Sequence, residues 1–203
     1  GHTAVGRLSR ANETPSQIEI TQIQEDRQRE LPYRIELIQG LASGDKMDWI
    51  IEKAVETGAT SITPIECERS VVKLKNDPKR QEKRLLHWQA IAQAACEQCD
   101  RSVIPEVTSI EHPRDAFKQS VAGLKILLST TSTDSLHQFL NQHPPQSIAL
   151  AIGPEGGFCK EEEEDAKQAG FTALSLGPRI VRTETAGIVA ISAVESIWSL
   201  KTS

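Results

Sequence analysis

The sequence predicts an α/β domain on a mostly parallel sheet, preceded by a short β-rich stretch, and three observations carry this reading. From Gly44 onward, helical and extended patterns alternate along the chain, the signature of strands joined by covering helices. Two extended segments, Lys125-Ile126-Leu127-Leu128-Ser129-Thr130 and Ser147-Ile148-Ala149-Leu150-Ala151-Ile152-Gly153, are nearly continuous apolar runs, as expected of strands covered on both faces. The first 40 residues instead hold three strand-like segments and no helical period.

Within that first stretch, residues 5–8, 16–23 and 33–38 read as strands, the latter two alternating apolar and polar for one buried face each. Ala11-Asn12-Glu13-Thr14-Pro15 and Glu25-Asp26-Arg27-Gln28-Arg29-Glu30 read as the turns between them. Three short strands make a sheet but not an independent core. The predicted division is therefore a partial β domain over residues 1–40 and an α/β domain over residues 41–203. Asp45 opens a helix to Thr57 that Gly58 stops, and residues 61–65 follow as a strand. Asp77-Pro78 is a cap with a first-turn proline and starts a long helix to about Asp100. Residues 103–110 are extended and 114–120 a short helix; after the two apolar strands come a helix at 160–169, a strand at 172–176 and a closing helix at 183–200. The run Glu161 to Glu164 reads as an acidic first turn.

A chain of 203 residues with 38% hydrophobic and 25% charged content can bury a sizeable core without disulfide or metal staples. Lys and Arg total 23 against 28 Asp and Glu, a net charge of -5, which argues against coating of nucleic acid by the whole surface but not against a local basic face. No apolar run approaches the ~18 residues of a membrane span, and Gly1-His2-Thr3-Ala4-Val5-Gly6-Arg7 lacks a signal-peptide pattern. The four cysteines, Cys67, Cys96, Cys99 and Cys159, are few and irregularly spaced, so they are expected as reduced thiols in a cytoplasmic protein. Cys96-Glu97-Gln98-Cys99 is a lone CxxC and reads as a structural helix pair; no metal site is expected.

Two glycine-rich stretches follow apolar strands. In Ile152-Gly153-Pro154-Glu155-Gly156-Gly157-Phe158, bare backbone can approach a ligand at a strand's carboxyl end; the plainer alternative is a tight strand-to-helix connection. In Leu176-Gly177-Pro178-Arg179-Ile180-Val181-Arg182-Thr183-Glu184-Thr185-Ala186-Gly187, polar groups gather where the last helix starts and offers free amides; taken singly, Thr183 is simply an N-cap and Glu184 a dipole partner. Neither stretch fits GxGxxG or a P-loop, which disfavours an ordinary dinucleotide or NTPase site.

These two stretches, preceded in order by Gly44-Asp45-Lys46-Met47-Asp48, Lys53-Ala54-Val55-Glu56-Thr57-Gly58, Arg69-Ser70-Val71-Val72-Lys73 and Ala94-Ala95-Cys96-Glu97-Gln98-Cys99-Asp100-Arg101, resemble the RsmE family. Its members are 16S ribosomal RNA uridine-N3 methyltransferases of the SPOUT class. The resemblance spans about residues 33–203. It implies a SPOUT methyltransferase domain with a C-terminal trefoil knot that binds S-adenosyl-L-methionine, a PUA-like β-barrel in front for RNA binding, and a homodimer acting on the small ribosomal subunit. Residues 1–40 correspond to the later strands of that barrel. Thr57, where the family usually has leucine, Cys99 and Cys159, where serine is common, and Val181, where leucine is usual, are departures that remove no polar group the chemistry needs.

Carried over motif by motif, the resemblance puts the cofactor against Leu128, Ser129, Thr130, Ile152, Gly153, Pro154, Glu155, Gly156, Gly157, Leu176, Gly177, Ile180, Val181, Arg182, Thr185 and Ala186. Uridine N3 carries a proton, so the site must help it leave. Arg182 is the first candidate, stabilising charge on a flanking uracil oxygen, with Glu155 or Glu184 as proton acceptor; an Arg182–Glu184 ion pair is the plainer alternative. Lys46, Lys53, Arg69, Lys73, Lys75 and Arg101 are expected to contact RNA phosphates. His87 and Trp88 are most simply core or interface groups. The last helix carries an apolar stripe of Ile188, Ile191, Val194, Ile197 and Trp198, suited to a dimer contact or to covering the sheet. Competing functions are an RNA-binding ribosome-assembly factor that keeps the fold without transfer activity, and a SPOUT enzyme acting on another RNA.

Overall fold

The computed structural model describes residues 1–10 and 16–202; the turn expected at residues 11–15 lies outside the described residues. Strands β1 (His2–Arg10) and β2 (Gln17–Glu25) form an antiparallel hairpin that is a sheet of its own. A six-stranded sheet, all of whose pairings are parallel, follows in the order β5-β4-β3-β7-β6-β8. Its strands are β3 (Ile35–Gly40), β4 (Ser61–Ile65), β5 (Glu106–Val107), β6 (Leu124–Leu128), β7 (Ile148–Ile152) and β8 (Thr172–Leu174). The helices are α1 (Lys46–Glu56), α2 (Pro78–Cys99), α3 (Pro113–Gln119), α4 (Leu136–Gln142), α5 (Lys160–Gln168) and α6 (Thr183–Thr202).

The apolar runs become central strands because each side chain meets a helix layer. Along β7, Ile148, Leu150 and Ile152 join the core shared with α1, α2, α4 and α6, while Ala149 and Ala151 join the one shared with α3 and α5. Period-two alternation thus splits one hydrophobic run between two cores. On the first side Tyr33 packs edge-on to Trp198, with ring centroids 5.0 Å apart. On the second, Phe117 lies between Phe158 and Phe171.

The predicted boundary at residue 40 is corrected. Residues 33–38 do not complete a β domain with the first two strands; β3 sits between β4 and β7 in the parallel sheet. Ile35, Leu37 and Ile38 are fully buried, and the polar position Glu36 that suggested a solvent face is used otherwise: its carboxylate accepts from the Ser120 hydroxyl at 2.6 Å. The β1 and β2 strands keep an exposed apolar face, because a bulge opposite Val5 and Gly6 leaves Ile23 on the same side as Ile18, Ile20 and Leu8.

Local signals explain most helix ends. The Asp77 carboxylate accepts from Arg80 N at 3.0 Å at the start of α2, and Gly58 after α1 has φ +103°. Asp45 stands at the cap of α1 without a side-chain capping bond. In the acidic run, Glu162 is buried and accepts from Cys159 N at 2.9 Å and Glu68 N at 2.8 Å, tying α5 to the segment after β4. Helix α4 was not anticipated, and the extended stretch at 103–110 contracts to the two residues of β5. In the lone CxxC, the Cys96 and Cys99 thiols donate to the Val103 and Cys96 carbonyls. Burial pushes the Cys96 and Cys159 thiols up, the latter to about 11, and does the same to Cys67, so these groups stay protonated. Among the described residues no helix is long and apolar enough to cross a membrane.

Candidate active site

All strands of the parallel sheet end on one edge, and the segments leaving β6, β7 and β8 meet there around a cavity of about 600 Å³. Such an edge, beside a reversal in strand order, is where open α/β sheets bind ligands. Leu128, Ser129 and Thr130, residues 152–157, Leu176, Gly177, Ile180, Val181, Arg182, Glu184 and Ala186 all line it. Thr185 does not; its amide donates to the Arg182 carbonyl behind the wall.

The 153–157 loop is held from several sides. A side chain at Gly40 would collide with Pro154 N and one at Gly156 with Arg69 Cβ at 2.8 Å. Gly157 has φ +69°, a conformation suited to glycine. Arg69 Nη1 donates to the carbonyls of Gly156, at 3.2 Å, and Phe158, at 3.1 Å. Glu155 Oε1 receives three bonds, from Ser43 N at 3.0 Å, the Ser43 hydroxyl at 2.6 Å and Lys46 Nζ at 2.9 Å. Burial opposes ionisation of this carboxyl, but the bonds from Ser43 and Lys46 outweigh it and hold the pKa down at about 2. Glu155 is therefore an anchor, and the expectation that it takes up a proton is corrected.

Glu184 is placed differently. Its side chain is 16% exposed, Oε2 is buried without a hydrogen-bond partner, and the nearby cations are Lys46, at 3.8 Å, and Arg182, at 3.9 Å. At 3.9 Å the Arg182 contact is charge proximity and no hydrogen bond. The Arg182 side chain is 82% exposed at the cavity rim. Thr183 does more than begin α6: its hydroxyl donates to the Gly153 carbonyl at 2.6 Å and accepts from Gln39 Nε2 at 3.0 Å.

The six residues expected to contact phosphates separate. Lys46 and Arg69 line the cavity, where both secure the 153–157 loop. Lys73 Nζ donates to the carbonyls of Cys67 and Glu68, and Lys53 lies between Glu52 and Glu56. Lys75 is exposed. Arg101 is corrected: its side chain is 4% exposed, and it bonds Glu30 and the carbonyls of Val55 and Ala59, the latter two at 2.8 Å. A guanidinium so enclosed joins the N-terminal segment to the α/β domain and cannot reach a phosphate. Trp88 is buried and, with His87, bonds the Asp48 carboxylate. Of the α6 stripe, Ile191, Val194, Ile197 and Trp198 are buried against the sheet and only Ile188 is partly exposed. Sequence reasoning missed Ser43 and Gln39. The one available signal was an amide in the otherwise apolar end of Ile35-Glu36-Leu37-Ile38-Gln39-Gly40.

Comparison with known proteins agrees with this geometry. Residues 29–195 match the model of the RNA methyltransferase domain family. The chain is 34% identical over 173 residues to ribosomal RNA small subunit methyltransferase E of Bacillus subtilis, covering 82% of this chain and 67% of that protein. Against the protein of the same name from Buchnera aphidicola subsp. Schizaphis graminum the identity is 36% over 167 residues, covering 82% and 66%. The chain thus spans about two thirds of the length of these relatives. The crystal structure of a ribosomal RNA small subunit methyltransferase E from Neisseria gonorrhoeae bound to S-adenosyl methionine matches with a TM-score of 0.87 at 38% identity, covering 98% of this chain and 80% of that one. A parallel sheet with a glycine-walled cavity at its carboxyl edge and agreement over most of the chain lead to one placement: the chain belongs to the RNA methyltransferase domain family, alongside the small subunit methyltransferase E proteins.

Proposed function

We propose that the chain is an S-adenosyl-L-methionine-dependent methyltransferase that modifies N3 of a uridine in 16S ribosomal RNA. The observation that carries this is the meeting of both glycine-rich walls with Arg182 and Glu184 at one cavity. The cavity suits the cofactor: its walls offer backbone from Gly153, Gly156, Gly157 and Gly177, and a Cβ built at Gly157 or Gly177 would meet only open space. Leu128, Ile152, Gly153, Gly156, Leu176 and Ile180 would hold the adenosine through backbone groups. When bound, the cofactor supplies an electrophilic methyl group on a sulfonium.

The chain's own residues then place the uracil and manage its proton. Arg182, exposed at the rim, donates to a uracil oxygen beside N3 and stabilises the negative charge that grows there. Glu184, which lines the cavity, takes the N3 proton. Lys46 stands 3.8 Å from that carboxylate and also fixes Glu155. Lys75, with the exposed Lys79 and Arg80 beyond it, neutralises RNA phosphates.

The finer architecture of this reading is a trefoil knot in the C-terminal half, a PUA-like β-barrel containing the β1–β2 hairpin, whose apolar face supports membership of a larger β layer, and a cytoplasmic homodimer. The test is transfer of labelled methyl from S-adenosylmethionine to small ribosomal subunits lacking the modification, with nucleoside mass spectrometry. Appearance of 3-methyluridine is the expected result. Cofactor binding without transfer, also in a version carrying a complete N-terminal barrel, would favour the assembly-factor reading.

A further inference from the structure

Gln39 faces the side of the sheet where Ile35 and Leu37 form the core with α6, and it is 0% exposed. An aliphatic side chain would serve that core without the penalty of desolvating an amide. Nε2 lies 3.0 Å from the Gly40 carbonyl oxygen and 3.0 Å from Thr183 Oγ1. The Thr183 hydroxyl lies 2.6 Å from the Gly153 carbonyl oxygen. Carbonyl oxygens only accept, so the chain of bonds has one possible direction. The amide nitrogen must face Gly40, and the Thr183 proton must point to Gly153, leaving a lone pair to accept from Gln39. The remaining amide oxygen, Oε1, is buried with no partner. A buried polar group that is only half satisfied costs stability, and its retention where leucine would pack calls for a role.

We infer that Gln39 is a positioning residue for the cofactor cavity, acting through Thr183 to fix the 153–157 loop against the start of α6. The relay joins three elements: the end of β3, the loop after β7 and the first residue of α6. It holds the Gly153 carbonyl at the point where the chain turns along the cavity wall. Losing the amide frees the Thr183 hydroxyl to rotate, and the two walls lose their fixed separation. The inference rests on the reading of this cavity as the S-adenosylmethionine site.

The test measures binding of S-adenosylmethionine and of S-adenosylhomocysteine by calorimetry to the full chain, with melting temperature as a control for folding. Gln39→Met keeps length and apolar volume and removes the donor; Thr183→Val removes the hydroxyl; Thr183→Ser keeps it. Each of the first two should weaken binding about tenfold, as expected for losing one link in a buried bonded chain. Thr183→Ser should bind within about threefold of the parent. The double variant Gln39→Met with Thr183→Val should bind no more weakly than about threefold below the worse single variant, because the two residues act as one unit. Multiplying losses, or a Gln39→Met protein that binds like the parent, overturns the inference and leaves the cofactor reading standing. A parent protein that binds neither ligand overturns both. If Gln39→Met does not fold, Gln39→Leu decides: it also removes the donor and should weaken binding as Thr183→Val does, and binding like the parent overturns the inference.

Discussion

The 153–157 loop is tied to Ser43, Lys46, Arg69 and Thr183, whereas the 175–182 segment is fixed chiefly at its two ends. At one end Ser175 N donates to the Asp134 carbonyl and its hydroxyl bonds Gly177; at the other the Arg182 carbonyl accepts from Thr185 N and Ala186 N. Between those ends Pro178, Arg179 and Ile180 are exposed, Ile180 to 83%. Two segments with the same Gly-Pro opening thus become a braced wall and an open one. A braced wall suits reading a ligand through backbone, since pre-ordered groups lose little entropy on binding. An open wall that presents Arg182 suits a substrate arriving from outside.

Substitutions on the two walls should therefore fail in different ways. The largest effect belongs to the open wall: Arg182→Ala should lower kcat by about 10²–10³ while leaving S-adenosylmethionine affinity within about threefold, read by single-turnover kinetics beside calorimetry. Equal losses in both quantities would remove the distinction between the walls. Next comes the braced wall, where Arg69→Ala removes both bonds to the Gly156 and Phe158 carbonyls. Cofactor affinity should fall about tenfold, with a lower melting temperature. An unchanged affinity would show that the loop holds its shape without that brace.

Most of the sheet could be read from the sequence because β6 and β7 announce themselves as long apolar runs that no solvent-facing strand would carry. Residues 152–157 and 176–182 were legible because glycine and proline constrain backbone in ways the string displays. What stayed hidden depended on neighbours distant in sequence. Nothing near Arg101 tells that Glu30, Val55 and Ala59 enclose it, and its basic character alone suggested a phosphate contact. Glu155 and Glu184 look equivalent as lone carboxylates beside glycine or threonine; only the arrival of Ser43, over a hundred residues away, marks Glu155 as an anchor of its loop. Residues 33–38 were read correctly as a strand but placed in the wrong sheet because alternation was taken for a wet face, when Glu36 is met by Ser120.

The braced wall also carries a pH dependence. The Glu155 carboxyl is held at about 2, below its ordinary 4.5. A depressed carboxyl contributes stability fully above the unfolded value, and that contribution is lost as pH falls through the folded one. The melting temperature of the parent should thus drop between about pH 4.5 and 2 more steeply than that of Glu155→Gln, which cannot titrate; parallel curves would mean that the Ser43 and Lys46 bonds do not hold the charge.

The smallest expected effect is the sharpest check on the open wall. Ile180 is an exposed aliphatic side chain that packs little, so Ile180→Ala should change folding stability by no more than about 0.5 kcal/mol. An exposed apolar group beside the exposed Arg182 is suited to lie against a base or ribose of the substrate, which makes KM for RNA the quantity that should rise, about two- to fivefold, with kcat nearly constant. A stability loss well above that bound would mean the segment is packed as firmly as its counterpart. The contrast between a wall that binds by being fixed and a wall that binds by being reachable would then have to be given up.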